Sequence, residues 1–366
     1  GIGAGMQKEI NDKISSFEGN ITVQNFNNLI NENSDNPISP SKEFLDELIE
    51  FSEIKNVEKI ISKFGIVRTE DDFDGLYFKG VEKNYDFSRI EKYITKGRFP
   101  IYSDDFSNEV LISKTLADKL NLELNDSFQM LFSRSEKLQP SILRLVVVGV
   151  FNSGFEELDS KYIFGDINQI RRILKWKIDQ ISSLEIQLEN QSSLEKISEQ
   201  LYINSPSEFD VITTKEKYFS IYEWIELFDK NIYAIIFIMI LVASINIISV
   251  LVVLILERTN MIGILKALGI TNKSLRKFFI LTSSYLIIKG IVIGNVVGLL
   301  ILLLQNKYKI MSLDPKIYYV DSVPVFIELS HIISLNLIAF ILCVMSILIP
   351  SLLVSKINPK DSIKFN

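Results

Sequence analysis

The chain has 366 residues, 47% of them hydrophobic, and a mean hydropathy of +0.22, so it is too long for one average domain and too apolar for an ordinary soluble one. Its net charge of −6 hides an uneven split: residues 1–230 carry 27 Lys+Arg against 40 Asp+Glu, whereas residues 231–366 carry 12 against 5. The acidic first part has no interleaved basic and aromatic surface, which excludes nucleic acid as a partner, and the single Cys343 and single His331 exclude an internal disulfide and Cys- or His-pair metal sites.

The start, Gly1-Ile2-Gly3-Ala4-Gly5-Met6, has neither an initiator Met nor a charged n-region and is not a complete signal peptide. Residues 7–18 read as a short polar helix and 20–26 as a strand with Ile21, Val23 and Phe26 apolar among polar neighbours. Residues 27–40, rich in Asn, Ser and Pro, read as a loop. Ser41 then caps a helix over 42–51 with Phe44, Leu45, Leu48 and Phe51 on one face. Strands are expected over 57–69 and 76–81, joined by the acidic turn 70–75. That turn lacks the ligand spacing of an EF-hand, so solvated carboxylates account for it.

Residues 85–94 read as a helix-like segment. Gly97-Arg98-Phe99-Pro100, Glu109-Val110-Leu111-Ile112-Ser113, a short helix over 116–120 and a strand over 128–132 follow. The nearly unbroken apolar run 143–151 predicts a strand buried on both faces. Gly154 marks a turn, after which come Tyr162-Ile163-Phe164-Gly165-Asp166 and a helix through Arg171, Arg172, Leu174 and Trp176, then a strand over 183–188, a helix over 193–201 and a last strand over 210–213. Residues 215–230 read as one aromatic-rich helix running without a break towards a long apolar segment, the composition expected at a membrane boundary.

Residues 231–256 contain no charge and exceed the roughly 20 apolar residues that cross a bilayer. Second and third spans are read at 278–304 and 332–354, the second carrying Lys289 and, at every fourth position, Gly290, Gly294 and Gly298. Small residues at this spacing let helices approach closely, so the glycine face is expected to pack against another helix. Between the first two spans, Met261, Ile262, Leu265 and Leu268 recur at helical spacing in an amphipathic segment. Five basic residues against Glu257 alone in 257–277, and three against Asp361 in the tail, place the segment and the C-terminus in the cytoplasm and residues 306–331 outside.

The run Glu257-Arg258-Thr259-Asn260-Met261-Ile262-Gly263-Ile264-Leu265-Lys266-Ala267-Leu268-Gly269, followed by Thr271-Asn272-Lys273-Ser274-Leu275-Arg276-Lys277-Phe278-Phe279, resembles the cytoplasmic coupling segment of FtsX-like and MacB-like permeases of ABC transporters. The resemblance is nearest to the lipoprotein-releasing (LolC/LolE-type) permease subunits of Bacteroidetes-like bacteria. Asp314-Pro315 with Tyr318-Tyr319-Val320 and Val323-Pro324-Val325, and the closing Asn358-Pro359-Lys360-Asp361-Ser362-Ile363, are similar to the same branch. Many members have an acidic residue where Met261 stands.

The resemblance implies an α+β extracytoplasmic domain followed by a helical transmembrane bundle, with domains 1–229 and 230–366, and with a first span preceding residue 1. It implies no catalytic residues, no metal and no cofactor on this chain, ATP being bound by a partner ATPase dimer. Consistently, the sequence has no Gly-x-x-x-x-Gly-Lys-[Ser/Thr] phosphate loop. The coupling residues it implies are Glu257, Arg258, Met261, Ile262, Gly263, Leu265, Lys266, Leu268 and Gly269, with Met261, Ile262 and Leu265 as the ridge entering the ATPase. Further implied partners are the membrane, a second permease subunit, identical or homologous, a lipoprotein substrate and a periplasmic carrier. Two other functions share the motion: an FtsX-type regulator of an extracytoplasmic cell-wall hydrolase, and a MacB-like efflux permease.

Overall fold

The computed structural model describes residues 2–30, 36–69, 72–103, 105–134, 137–314, 318–320 and 322–351. The chain forms two compact units: Lys8–Tyr222 with Leu313–Asp321, and Gly1–Gln7 with Glu223–Ser312 and Ser322–Asn366. In chain order the elements up to residue 120 are α1 (Ile2–Glu18), β1 (Ile21–Asn25), α2 (Phe26–Ile30), α3 (Lys42–Glu50), β2 (Ile54–Arg68), β3 (Phe73–Val81), β4 (Ile94–Gly97), β5 (Glu109–Ser113) and α4 (Lys114–Leu120). Then come β6 (Ser127–Arg134), β7 (Lys137–Phe151), α5 (Glu156–Asp159), β8 (Tyr162–Asp166), α6 (Ile167–Leu174), β9 (Ser183–Leu188), α7 (Leu194–Asn204), β10 (Phe209–Thr213) and α8 (Thr214–Lys217). Among the described residues, four more helices follow: α9 (Phe219–Glu257), α10 (Thr259–Ala267), α11 (Asn272–Tyr308) and α12 (Leu329–Ser351).

The first unit is built on one sheet of order β10-β1-β9-β2-β3-β8-β5-β7-β4, with β6 bridging β2 and β7. Most pairings are antiparallel; β3 with β8 and β5 with β7 are parallel. Alternation along the strands sorts the side chains onto two faces. One face sends Ile21, Val23, Ile61, Val67, Phe78, Leu184 and Ile186 into a core shared with Phe44 and Leu48 of α3, Ile170 of α6 and Leu201 of α7. Burying each such side chain contributes about 1.5–3 kcal/mol, which is why helix spacing and strand alternation in this part of the sequence agree with the observed elements. Ser41 caps α3 as expected, its side chain accepting from the Phe44 N–H.

The observed elements differ from the expected ones at several places. β7 is longer than 143–151, and its first half is not buried on both faces: Ile142 and Arg144 are exposed, because there β7 pairs with β6 alone, whereas Val147 to Phe151 run beside β5, with β4 on the other side of Gly149 to Phe151, and are buried. Phe73, Asp74 and Gly75 belong to β3 and not to a turn; Glu70 and Asp71 lie outside the described residues. A short helix, α2, occupies part of the loop expected at 27–40, and Ile94–Gly97 is a strand that pairs with β7.

The helix expected over 215–230 is interrupted at Tyr218, which takes φ −111° and ψ 38° after a capping box formed by Thr213 and Glu216. Tyr218 is buried, its hydroxyl donating to Glu18 Oε1 at 2.5 Å, so a tertiary bond takes the place of helix continuation.

Among the described residues, three helices are long and apolar enough to cross a membrane: α9, α11 and α12. Their apolar side chains mostly face outward, as in a bundle whose solvent is lipid. Leu251, Ile255, Ile262, Leu275, Phe279, Ile287, Cys343 and Ile347 form the small inner cluster. Asn336 Nδ2 donates to Asn295 Oδ1 at 3.1 Å across α11 and α12, and Gln305 at the end of α11 holds the return loop through Met311 and Val323.

Candidate functional site

Residues 257–277, between the first two long apolar helices, hold the short helix α10 between two breaks in helical geometry. α9 ends at Glu257, and Arg258 leaves helical geometry at φ −100° and ψ 12°. Thr259 Oγ1 donates to Leu256 O at 2.7 Å, satisfying one of the carbonyls that a helix end leaves open. α10 then runs nine residues and stops because Gly269 takes φ +92°, where a side chain would be strained. Thr271 caps α11, accepting from the Ser274 N–H.

This geometry divides the expected coupling residues. Ile262 is fully buried among Leu251 and Ile255 of α9 and Leu275 and Phe279 of α11; Gly263 is buried beside it, and Leu265 packs on the same cluster. The ridge of Met261, Ile262 and Leu265 therefore does not point outward as a unit. Ile262 and Leu265 fix α10 to the ends of the spans, and the outward ridge is Ile264 (52% exposed) and Leu268 (76%), one turn apart, with Met261 half-buried beside them. Glu257, Arg258 and Gly269 are exposed, and Lys266 is intermediate. Helical spacing identifies the apolar residues, but it does not say which of them the neighbouring span ends claim.

The glycines of the second span stand on an open face. A Cβ at Gly290, Gly294 or Gly298 would meet nothing within 4 Å. Lys289 is exposed one residue before the stripe, its ammonium 4.6 Å from the ring centre of Tyr285 on the same helix.

The first unit contains a feature that the sequence reading missed: a buried chain of charges. Lys79 on β3 pairs with Glu185 Oε1 on β9 at 2.6 Å and donates to Phe17 O at 2.7 Å. Glu18, the last residue of α1, pairs with Lys217 of α8 and accepts from the Tyr218 hydroxyl. Burial works to raise the Glu18 pKa, but Lys217, Lys161 and Lys79 outweigh it and hold the carboxyl down to about 2. Burial raises the pKa of Glu185 and lowers that of Lys79, each against the pull of the other.

These groups join the C-terminal end of α1 and the helix that precedes α9 to the middle of the sheet. The available signal was a lone charge inside an apolar strand, as in Leu184-Glu185-Ile186 and Phe78-Lys79-Gly80. Beside the cluster lies an open groove of about 540 Å³ lined among others by Thr22, Gln24, Ser62, Tyr77, Tyr162 and Glu185. Among the described residues no group of His, Cys, Asp and Glu could hold a metal ion.

Two family models match the chain: the MacB-like periplasmic core domain over residues 1–202, and the FtsX-like permease C-terminal region over residues 233–359. The chain belongs to the FtsX-like and MacB-like permease family. It is an ABC transporter permease of that type, a multi-pass inner-membrane protein with a periplasmic domain.

Among the relatives of this permease is the lipoprotein-releasing system transmembrane protein LolC of Buchnera aphidicola subsp. Acyrthosiphon pisum, 23% identical over 97% of this chain and 86% of its own length. The LolE protein of Haemophilus influenzae is 22% identical over 84% of this chain and 76% of its own length. The periplasmic region of MacB from Actinobacillus actinomycetemcomitans aligns with 59% of this chain and 97% of that structure, at 17% identity and a TM-score of 0.38.

Proposed function

We propose that this permease extracts lipoproteins from the inner membrane and delivers them to a periplasmic carrier, driven by a separate ATPase dimer. The names of its curated relatives, all of the lipoprotein-releasing system, support the substrate. The observation that carries the mechanism is the short helix α10, clamped by Ile262 to two span ends while Ile264 and Leu268 stand outward.

In this reading residues 1–229 are the periplasmic domain and 230–366 the transmembrane domain, with spans 231–256, 278–304 and 332–354 and the coupling segment 257–277. The chain pairs with a second permease copy or homologue. ATP closes the ATPase dimer, α10 follows because its outward ridge is seated there, and the buried Ile262 passes the displacement to α9 and α11. Energy enters as differential affinity of the ATPase for two permease states, and this chain's own residues carry out no chemical step.

The experiment is reconstitution of the permease and its ATPase in proteoliposomes loaded with a lipoprotein. ATP-dependent transfer of that lipoprotein to a soluble carrier supports the proposal. ATP-dependent activation of a cell-wall hydrolase without lipoprotein transfer would overturn it.

A further inference from the structure

Residues 309–328 join α11 to α12 and contain the run Tyr318-Tyr319-Val320. At the neck of this connection Ser312 and Ser322 form an antiparallel bridge, and Gln305 Nε2 donates to Met311 O and Val323 O, at 3.2 Å each. The residues between the two serines, Leu313–Asp321, belong to the periplasmic unit.

Within that unit Tyr319 is held from three sides. Its ring centre lies 5.0 Å from that of Phe155, its hydroxyl donates to the Glu157 carboxylate, and its carbonyl oxygen accepts from the buried Lys13 ammonium of α1 at 2.9 Å. Val320 beside it is buried. Tyr319 takes φ +62°, a left-handed backbone that a bulky residue keeps only where its surroundings over-determine it.

Phe155 is itself a fixed point. It is fully buried at the turn between β7 and α5, where its N–H donates to Ser153 Oγ at 3.0 Å and the Ser153 N–H donates to Asp159 Oδ1 at 3.1 Å. The same ring meets Tyr218, the residue preceding α9, with centroids 6.2 Å apart, and the Tyr218 hydroxyl is bonded to Glu18 at the end of α1. The end of α1, the approach to α9 and the α11–α12 connection thus meet around one side chain of the periplasmic unit. The connection also touches α1 within the membrane unit, where a Cβ on Gly5 would stand 2.6 Å from Pro324 O.

We infer that Tyr319 is a positioning residue of the transport cycle, fastening the α11–α12 connection to the periplasmic unit at Phe155, so that these two helices act on that unit as α1 and α9 do through the chain itself. A connection that only returned the chain would need neither a tyrosine in left-handed geometry nor a buried ammonium on its backbone, since a turn exposed to water satisfies its carbonyls there. The inference rests on the ATP-driven movement of the spans proposed above and is independent of what is carried.

The test uses the full chain with its ATPase in proteoliposomes, in a Cys343→Ala background with spin labels at Asp118→Cys on α4 and Lys307→Cys on α11, both exposed positions. Tyr319→Ala removes the ring, Lys13→Met removes the ammonium, and Tyr319→Phe keeps the ring. The expected result is a narrow distribution of label distances in the parent protein and in Tyr319→Phe, and a broad one in Tyr319→Ala and Lys13→Met. Lipoprotein released per ATP hydrolysed should fall several-fold in the two broad variants alone, with ATPase co-purification and Trp fluorescence unchanged in all.

Equally narrow distributions in all four proteins would overturn the inference. So would broad distributions with undiminished release, or a loss in Tyr319→Phe as large as that in Tyr319→Ala. If the parent protein releases no lipoprotein, the substrate reading fails, and the distances alone decide the fastening.

Discussion

Phe78 and Ile245 are both large and apolar, and the two units use them in opposite ways. Phe78 is fully buried in the periplasmic sheet, packed edge-on against Phe132, whereas Ile245 stands 54% exposed on α9. The charges are reversed as well: the periplasmic unit buries Lys79, Glu185 and Glu18, while Lys289 of the membrane unit remains exposed. The difference shows where each unit's specificity resides. In water, burial is the driving force and buried ions fix the register of distant segments; in lipid, burial of apolar area drives little, and close helix contacts and interhelical hydrogen bonds carry the organisation.

The largest expected effect tests the buried ions. Lys79→Met leaves Glu185 buried without its partner and should destabilise the periplasmic unit by about 3–5 kcal/mol in urea unfolding followed by Trp fluorescence. A loss below ~1 kcal/mol would make these charges incidental.

Glu18 supplies the pH dependence. Its carboxyl lies at about 2 when folded against 4.5 when unperturbed, so its contribution is complete above pH 4.5 and is lost as the pH falls towards 2. That contribution is about 3 kcal/mol. Glu185 works in the opposite direction, since its pKa is raised, so the comparison is between wild type and Glu18→Gln. The acid-dependent loss of stability between pH 4.5 and 2 should shrink in the variant, and identical profiles would contradict the assignment.

A smaller effect is expected at Gly149, where a Cβ would overlap the Arg98 carbonyl oxygen: Gly149→Ala should cost about 1–3 kcal/mol in the same assay. The smallest effect on the chain itself is expected at Gly294, where a Cβ meets open space. Gly294→Leu should insert and fold normally yet reduce recovery of permease pairs by co-purification, whereas Leu300→Ile should not. Full recovery in both variants would leave the stripe facing lipid.

The contrast between the units also explains what could be read from the sequence. Strand 183–188 and the Ser41 cap follow from alternation and local hydrogen bonding, so they were legible. The three long apolar helices follow from length and composition. The pairing of Glu18 with Tyr218, 200 residues apart, leaves no local trace, because a single acidic residue at a helix end reads equally well as solvated. The break at Tyr218 and the half-exposed β7 were missed for the same reason: each is decided by what packs alongside. On α10 the periodicity showed an amphipathic helix, but which apolar side chains point inward depends on the span ends that surround it.

In the proposed mechanism α10 passes force from the ATPase through an outward ridge of Ile264 and Leu268 while Ile262 anchors it. The most direct measurement is ATPase co-purification and coupled lipoprotein release for Leu268→Asp, with Asn260→Ala as control. A charge at Leu268 would be buried unpaired in the ATPase interface at a cost of ~3 kcal/mol, so the variant should insert normally but lose ATPase binding by about 100-fold or hydrolyse ATP without release. Asn260→Ala should do neither. If Leu268→Asp binds the ATPase and releases lipoprotein as the wild type does, α10 is only a connector between two spans.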